Sequence, residues 1–505
     1  MVARTRRRRR PLAGLAAAIT GVTLTAGCVS GDDREAAPLT DPTAIRQIDP
    51  GGVPGLSTVT LGEHDARIRL FAGYPRIAGA EPLNGALAGQ VDGDVRPFAE
   101  RAAGTGPRPP DGAVPELNVE WSLAAASGDV VGVRLVTARS PGPSGSGGGE
   151  TRRTIWYDGA AGASGAVRSS ADLVNGPSAL SRLASLVAAR VAAPAVPAKL
   201  TADPRGVFSS LGFNGQGDLV TEFSDGSVAP APAGRVAVVL GHAAYEPLLS
   251  PFGRRARDAA LAVRPELTLR TAPSPPPDRA GTAPPGRPTG SAPPPSPRTA
   301  PQADCRVAKC VALTFDDGPG PDTGRLLDML AERDARATFF VVGANAAAHP
   351  ALLRGMHAKG HEIGNHTHAH RVLARLPALR INSEIQRTQE AVRSATGRAP
   401  TLLRPPYGEG GGAVARIARS QGLAQILWNG DGDDLADTDP RAIADRVVSQ
   451  ARPGGIVRLH DVRAASVDAV PAVLDRLDGD GFRFVTVSAL LAGRSLVPGS
   501  TSGGR

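Results

Sequence analysis

The sequence predicts an α/β fold for the C-terminal part of the chain, preceded by an α+β region and a Pro-rich linker. From residue 310 onward, short apolar segments alternate with amphipathic ones, which is the pattern of repeated strand–helix units around a parallel sheet or barrel. Residues 51–265 mix alternating strand patterns with a helical one, as is typical of an α+β region. Residues 271–302 contain 12 Pro, so this stretch is expected to be an extended spacer.

The individual elements follow from hydrophobic periodicity. In the first region, alternating apolar residues predict strands at 66–71, 117–123, 130–136 and 235–240. Residues 180–193 place their apolar side chains on one helical face and predict a helix. After the spacer, strands are predicted at 310–315, 337–342, 402–404, 425–428, 455–459 and 483–487, with helices at 322–333 and 350–359.

Composition excludes some classes of partner. The chain has 505 residues and is 41% hydrophobic, which is ample for a buried core. Six of its Arg residues lie within the first 27 positions, so the net charge of +9 does not indicate a basic surface that binds an acidic partner. Aromatic residues make up only 4% of the chain. Broad stacking surfaces are therefore not expected, and no nucleic-acid partner is predicted.

The N-terminus has the pattern of an export signal. A basic run is followed by a weakly apolar stretch that is too short to span a bilayer comfortably and ends in small residues before Cys28. This ending resembles a bacterial lipobox, in which Cys28 is acylated and anchors the protein to the outer face of the cell membrane. The alternative is a plain secretory signal with an incidental Cys, which would leave the protein secreted or in the cell wall. Residues 29–50 are predicted to be a polar tether.

The number of cysteines is consistent with an exported protein. The chain has 3 Cys. If Cys28 carries lipid, Cys305 and Cys310 remain for one disulfide in an oxidising compartment.

Polar residues cluster where several predicted strands of the C-terminal region end. The motifs are Thr-Phe-Asp-Asp-Gly at 314–318, Asn-His-Thr-His-Ala-His at 365–370, Arg-Pro-Pro-Tyr-Gly at 404–408, Trp-Asn-Gly-Asp-Gly-Asp-Asp at 428–434 and Leu-His-Asp at 459–461. Taken alone, an Asp-Asp-Gly is usually a turn and a pair of His four apart is usually incidental. Their joint occurrence at consecutive strand ends favours an active site, because the C-terminal strand ends are where such folds place their chemistry.

These five motifs, in this order, resemble those of the polysaccharide deacetylase family, the chitooligosaccharide deacetylase-like domain of carbohydrate esterase family 4. The resemblance covers residues 304–493 and leaves 494–505 as a tail and 266–303 as the linker. It implies a distorted (β/α) barrel and a divalent metal, commonly zinc. It also implies hydrolysis of N-acetyl, sometimes O-acetyl, groups of polysaccharides.

The resemblance also implies residue roles on the metal side of the site. Asp317, His366 and His370 are the expected metal ligands, since three protein ligands and an open position are typical of catalytic zinc. Asp316 is the expected general base that takes a proton from water. Arg404 is expected to keep Asp316 ionised and oriented.

On the substrate side, the backbone N–H of Tyr407 is expected to stabilise the oxyanion. His460 is expected to protonate the leaving amine, with Asp434 keeping it cationic. Two residues depart from the family pattern where the acetyl methyl is held. Leu435 stands where Trp is frequent, and Arg458 stands where an aliphatic residue is usual. Arg458 is expected either to fold outward along its aliphatic stem or to narrow and polarise this pocket.

The leading hypothesis is a metal-dependent deacetylase of peptidoglycan, the N-acetylated polymer nearest to an exported, tethered protein. Chitooligosaccharide and acetylxylan are alternative substrates. Residues 51–265 resemble the domain that precedes the catalytic domain in some peptidoglycan deacetylases, and the extracellular domain of lysozyme-sensing anti-sigma factors. A third hypothesis is therefore a binding or sensing lipoprotein, in which this region recognises lysozyme or glycan and the barrel is nearly inactive.

Overall fold

A computed structural model describes residues 41–65, 67–103, 114–140, 148–162, 164–191, 200, 202–228, 235–269, 303–493 and 496–503. The predicted signal peptide of residues 1–28, with Cys28, lies outside the described residues. So do residues 29–40 of the predicted tether and residues 270–302 of the Pro-rich stretch.

The N-terminal region is built on a six-stranded sheet. Its strands are β1 (Leu56–Asp65), β2 (Ile68–Ile77), β3 (Glu116–Ser127), β4 (Val130–Ser140), β5 (Gly149–Asp158) and β6 (Ala166–Ser169), which pair in chain order. Helix α1 (Glu81–Ala103) connects β2 to β3. Strands β2 and β3 pair in parallel, because α1 provides the long crossover connection that a parallel pair needs. The other neighbouring strands of this sheet pair antiparallel.

A second, smaller sheet completes this region. Strands β7 (Ser210–Phe213), β8 (Leu219–Phe223) and β9 (Val236–Leu240) form an antiparallel meander. The accompanying helices are α2 (Gly176–Ala188), α3 (Pro204–Val207), α4 (His242–Tyr245) and α5 (Pro251–Leu261). One apolar core, which includes the fully buried Trp156, Phe208 and Phe213, joins these helices to both sheets. The region is therefore α+β, as the sequence predicts.

The C-terminal region is a curled parallel sheet surrounded by helices. Its strands are β10 (Lys309–Asp316), β11 (Thr338–Val341), β12 (Glu362–Asn365), β13 (Leu402–Leu403), β14 (Ala424–Ile426), β15 (Gly430–Asp431), β16 (Gly455–His460), β17 (Phe482–Phe484) and β18 (Thr501–Ser502). Its helices are α6 (Thr323–Glu332), α7 (Gly343–Ala348), α8 (Pro350–Ala358), α9 (Ala378–Thr396), α10 (Gly412–Ser420), α11 (Pro440–Gln450), α12 (Ala464–Gly479) and α13 (Val487–Leu490). Short 3-10 turns lie at Pro50–Gly52, Ser170–Leu173, Glu246–Leu248, Leu373–Arg375 and Pro406–Gly408.

All the strand pairs of this second region are parallel, in the order β15-β16-β10-β11-β12-β13-β14-β18, with β17 also paired to β10. The sheet curls into part of a barrel, which confirms the predicted α/β fold. Its register places Asp316 beside His460 and Phe340 on the neighbouring strands. The C-terminal ends of these strands therefore meet at one face, where the polar motifs lie.

Three predicted boundaries are wrong. Residues 41–50 are part of the fold instead of the tether, because Ile45 and Ile48 are buried and their segment bonds to β3 and β7. Residues 266–269 pack on the N-terminal sheet instead of belonging to the linker, with Leu267 bridged to Gly128. The tail contributes β18 to the parallel sheet.

The two folded regions are also not separate. Residues Asp41–Arg505 form one compact unit, in which the N-terminal sheet packs directly on the barrel. Cys305 and Cys310 form a disulfide at the start of β10, with Cα atoms 5.4 Å apart. No helix within the described ranges is both long and apolar enough to span a membrane.

Replacing Gly132 with Ala is expected to destabilise the N-terminal sheet. Gly132 pairs with Trp156 across β4 and β5, and an added Cβ would lie 2.7 Å from the indole ring. Overpacking of this kind costs about 1–3 kcal/mol, so the urea midpoint of unfolding should fall. Gly89→Ala in α1 is the control, because its added Cβ meets no atom within 4 Å and Ala is the better helix former. Equal midpoints for the two variants would contradict this packing.

Candidate active site

Three buried side chains converge where β10 and β12 end. Asp317 follows the last residue of β10, and His366 follows the last residue of β12. Asp317 Oδ1 lies 3.5 Å from His366 Nε2 and 3.2 Å from His370 Nε2. One ligand atom from each of the three residues lies within 4.8 Å of the others. The structure therefore brings together the three residues that the sequence predicts as metal ligands.

The chemistry of this cluster fits a divalent cation. His366 Nδ1 lies 2.6 Å from the carbonyl oxygen of Arg404, and a carbonyl only accepts, so Nδ1 carries the proton and the Nε2 lone pair faces Asp317. Asp317 Oδ1 is buried and accepts no hydrogen bond from any described residue. Burial also raises the pKa of Asp317, an effect that a bound cation would oppose. Two imidazole nitrogens and one carboxylate oxygen are a donor set that zinc and other divalent transition metals accept.

Surrounding polar groups fix the loop that carries the two imidazoles. The side chain of Asn365 accepts a hydrogen bond from the backbone N–H of Thr367, at 2.8 Å. The carboxylate of Glu384 on α9 accepts hydrogen bonds from the backbone N–H groups of His368 and Ala369, at 3.1 and 2.8 Å. Asn345 donates to the backbone carbonyl of Asp317 at 2.8 Å. These groups hold the ligands on rigid supports instead of a free loop.

Strained backbone marks the same place. Asp317, Thr367, His370 and Tyr407 have φ values of 73°, 65°, 54° and 60°. Residues with side chains rarely adopt this left-handed region, and each such residue costs about 1–3 kcal/mol. Strain of this kind gathers at functional sites, where the surrounding contacts impose the geometry.

Asp316 is paired with a fully buried guanidinium. Arg404 Nη1 donates to Asp316 Oδ1 at 2.7 Å and to the hydroxyl of Thr314 at 2.8 Å. The other oxygen of Asp316 faces His366 Nε2 at 3.9 Å. Burial opposes ionisation of Asp316, but the charge of Arg404 and the neighbouring imidazoles lower its pKa below the usual value. Asp316 is therefore held as a carboxylate beside the ligand cluster, and its role as the general base stays a prediction.

His460 and Asp434 form a second buried pair across the site. His460 Nδ1 lies 2.8 Å from Asp434 Oδ1, and the backbone N–H of His460 donates to Asp434 Oδ2. Ser466 also donates to Asp434 Oδ2, at 2.5 Å. Burial alone would lower the pKa of His460, but the charge and hydrogen bond of Asp434 raise it to about 9. His460 is therefore an imidazolium near neutral pH.

The two residues that depart from the family pattern both line the cavity over the cluster. Leu435 lies on its wall together with Tyr407 and Trp428. The guanidinium of Arg458 lies 4.0 Å from the ring centroid of Trp428 and pairs with Asp431 at 2.6 Å. The structure therefore places Arg458 at the wall of the cavity, with its charge held between Trp428 and Asp431.

A model of the family described as "Polysaccharide deacetylase" matches residues 303–426. A peptidoglycan-N-acetylglucosamine deacetylase of Bacillus cereus is 37% identical over 189 residues, which are 36% of this chain and 88% of that protein. The chitooligosaccharide deacetylase of Rhizobium leguminosarum bv. trifolii is 38% identical over 183 residues, covering 36% of this chain and 82% of that protein.

The chain belongs to the polysaccharide deacetylase family. The peptidoglycan-N-acetylmuramic acid deacetylase PdaC of Bacillus subtilis is a further relative, 38% identical over 183 residues that cover 36% of this chain. The match spans 38% of that relative's own length. Members of this family use a divalent metal, and the Asp-His-His cluster lies within the matched segment.

The sequence does not predict the residues that the N-terminal sheet adds to this deacetylase-family site. Gly62 of β1 and Leu70 of β2 line the same cavity as the ligand cluster, and the ring of Phe71 stacks on His370 with centroids 4.4 Å apart. No motif marks these residues, because the contact is between elements some 300 positions apart in the chain. Trp428 is the first residue of the motif at 428–434. Its position against Arg458 depends on the curl of the sheet, which the motif does not indicate.

Replacing His366 with Ala is expected to abolish stoichiometric binding of a divalent cation, for which zinc is the probe. Loss of an outer partner alone lowers metal affinity about 10–100-fold, so loss of a ligand should cost at least about 100-fold. His368→Ala is the matched control, because His368 faces Glu120, at 3.9 Å, instead of the cluster. Zinc titration of both purified variants by calorimetry checks this prediction. Equal loss of zinc in the two variants would show that the ligands are assigned wrongly.

Proposed function

We propose that this protein removes N-acetyl groups from amino sugars of peptidoglycan by metal-dependent hydrolysis. The observation that carries the proposal is the arrangement around one small cavity. Asp317, His366 and His370 form a ligand cluster, a buried carboxylate lies on one side of it, and a buried imidazolium lines the same cavity. Such a set supplies a cation site, a base and an acid, which are the groups that amide hydrolysis requires.

Water attack on the acetyl carbonyl needs a base. When bound to the cluster, a divalent cation, for which we propose zinc, supplies Lewis-acid polarisation and lowers the pKa of water to about 7. Asp316 takes the proton from the attacking water, since its lowered pKa keeps it ionised. Arg404 keeps Oδ1 of Asp316 occupied, so that Oδ2, the oxygen nearer to His366, faces the reaction.

Departure of the amine needs an acid. Water adds to the carbonyl carbon, the carbon–nitrogen bond breaks, and the amine leaves with a proton from Nε2 of His460. Asp434 fixes Nδ1 of the same ring, so Nε2 points away from the pair. The backbone N–H of Tyr407 stabilises the oxyanion, and Leu435, Trp428 and Arg458 surround the acetyl methyl.

Peptidoglycan is the proposed substrate because two of the relatives described above carry peptidoglycan deacetylase names. The rhizobial relative is named for chitooligosaccharide, so that substrate is the second candidate, and acetylxylan is the third. The location proposed for the protein agrees with the first. We infer export, with acylation of Cys28 anchoring the chain to the outer face of the membrane, next to the cell wall.

Replacing Asp316 with Asn is expected to lower acetate release from purified peptidoglycan about 10²–10⁴-fold, because the variant loses its general base. Zinc binding should remain, since Asp316 is not in the ligand cluster and the side-chain oxygen of Asn can still accept the hydrogen bond from Arg404. The measurement is free acetate released by the zinc-loaded full chain from peptidoglycan, chitooligosaccharide and acetylxylan. A chelator should abolish release, and added zinc should restore it.

The control is Asp322→Asn, since Asp322 precedes α6 and forms a surface ion pair with Arg325. It should keep wild-type activity. Metal-dependent release from chitooligosaccharide or acetylxylan alone would change the proposed substrate. No metal-dependent release from any of the three polymers would favour the binding hypothesis, in which residues 51–265 recognise lysozyme or glycan.

Replacing Asp434 with Asn is expected to shift the alkaline limb of the pH–activity profile to lower pH by at least about one unit. In the wild type, His460 with a pKa of about 9 loses its proton, and activity falls, as the pH rises through that value. Without the carboxylate charge, burial dominates and the imidazolium deprotonates at lower pH. The adjacent Asp433→Asn is the control, because Asp433 is exposed and Asn tolerates its φ of 48°. An alkaline limb of kcat/KM that does not move in D434N would exclude His460 as the acid.

A further inference from the structure

The N-terminal sheet lies over the candidate active site. Leu70 and Gly62 line the cavity that contains the ligand cluster. The ring of Phe71 covers His370 with an interplanar angle of 21°, and an added Cβ at Gly62 would lie 3.6 Å from Asp317 Oδ2. Strands β1 and β2 therefore occupy the side of the barrel from which a substrate would approach the cluster.

The remaining space is too small for a substrate. The cavity bounded by the cluster and these strands has a volume of about 10 Å³ open to the centre of a water molecule. About one water molecule fits such a volume. An N-acetylated sugar ring needs many times more, even before its neighbours in a polymer are considered. The arrangement in the structure therefore excludes the substrate that the proposed function requires.

Polar contacts hold the sheet in this position. Asn118 donates to the backbone carbonyl of Ala369 at 2.7 Å, next to the ligand His370. Asn345 donates to the hydroxyl of Thr60 at 3.1 Å, and Thr58 and His349 share a hydrogen bond of 3.0 Å. These contacts lie on both sides of the ligand cluster.

Ion pairs cross the same interface. Arg69 pairs with Glu409 at 3.1 Å, and Arg387 on α9 pairs with Glu120 on β3 at 2.8 Å. The carboxylate of Glu116 accepts a hydrogen bond of 3.2 Å from the backbone N–H of Val372. Regions of one chain can move relative to each other unless their interface is large and hydrophobic, and water can replace polar contacts such as these.

Each region also has apolar cores of its own. The cores of the barrel consist of residues from 311 onward. The cores of the N-terminal region consist of residues from 45 to 260, joined by Ala348 of α7. Separation of the two regions would therefore break the polar contacts, the stack of Phe71 on His370 and the packing of Ala348, and would leave the remaining residues of each core together.

From this geometry we propose that the N-terminal sheet is an inhibitory cover. Polysaccharide enters the site only after β1 and β2 move away from the barrel, and the fraction of open molecules limits the rate on the polymer. This inference rests on the proposed function for the meaning of the site, but the movement itself is measurable without catalysis.

The test uses the pair Glu120–Arg387 in the zinc-loaded full chain. Glu120→Arg and Arg387→Glu each place like charges across the interface, whereas the double variant restores opposite charges. Arg393→Glu is the matched control, because Arg393 lies on the same helix and pairs with Glu390 of that helix. Thr58→Lys is a second opening variant, since it places a charge at a buried position on the other side of the interface.

Three quantities are measured for every variant. The first is hydrogen exchange of peptides that cover residues 366–375, because the amide of Val372 donates to Glu116 across the interface. The second is the rate at which dipicolinate withdraws zinc. The third is acetate release from peptidoglycan. All three should rise about tenfold in E120R, R387E and T58K, as expected when like charges or a buried charge at the interface shift the opening equilibrium. They should return toward wild type in the double variant and stay unchanged in R393E.

The outcomes separate the cover from the proposed function. Faster exchange with unchanged or lower acetate release would overturn the cover, since the sheet would then be neutral or part of a productive site. Unchanged exchange and zinc withdrawal in all opening variants would overturn it too. If no variant releases acetate, the proposed function fails, and zinc withdrawal alone decides: faster withdrawal supports the cover, and equal withdrawal overturns it.

Discussion

The buried ion pair between Arg404 and Asp316 is the interaction on which the rest of the site depends. Its guanidinium is fully buried, lies 4.1 Å from the ring centroid of Phe340, and donates to Thr314 and to the backbone carbonyl of Ile426. It therefore connects β10, β11, β13 and β14 at the centre of the curled sheet. A buried charge is tolerated only when it is paired and hydrogen-bonded. The same contacts that satisfy Arg404 fix Asp316 in place and keep it ionised, so the architecture of the barrel and the chemistry of the site have one cause.

The groups around the cavity have pKa values shifted in opposite directions, and the pair of Arg404 and Asp316 contributes to this difference. Asp316 and Asp317 are adjacent in sequence and equally buried, yet the pKa of the first is lowered and that of the second is raised. The difference arises because Arg404 contacts Asp316 directly, whereas burial and the charge of Asp316 raise the pKa of Asp317 more than His460, His366 and Arg458 lower it. On the opposite side, Asp434 raises the pKa of His460. Neighbouring groups whose environments push their pKa values apart are how a site provides a base and an acid at the same pH.

The sequence predicts the barrel and its chemical residues because both are local patterns: strands alternate with helices, and each motif directly follows its own strand. Contacts between distant segments have no such signature, so the position of Leu70 and Phe71 over the cluster is visible only in the structure. The sequence does not predict helix α1, for another reason. Leu83, Leu87 and Val91 repeat at a helical spacing and are buried, but the Gly residues between them weaken the helical pattern. The sequence does not predict that residues 266–269 and β18 belong to the fold, because such short segments have no hydrophobic periodicity of their own.

The contacts that hold the N-terminal sheet over the site differ from those that set the protonation states of the acid and the base. The enzyme can therefore be closed to substrate while its acid and base remain ready to act. His460 owes its raised pKa to Asp434, and Asp316 owes its lowered pKa to Arg404, and all of these residues belong to the barrel. Movement of the N-terminal sheet would leave both pairs in place. Of the catalytic groups, His370 alone is stacked against an aromatic ring of the sheet. Opening would therefore hydrate the ligand cluster and admit a sugar while the base and the acid keep the protonation states that hydrolysis needs.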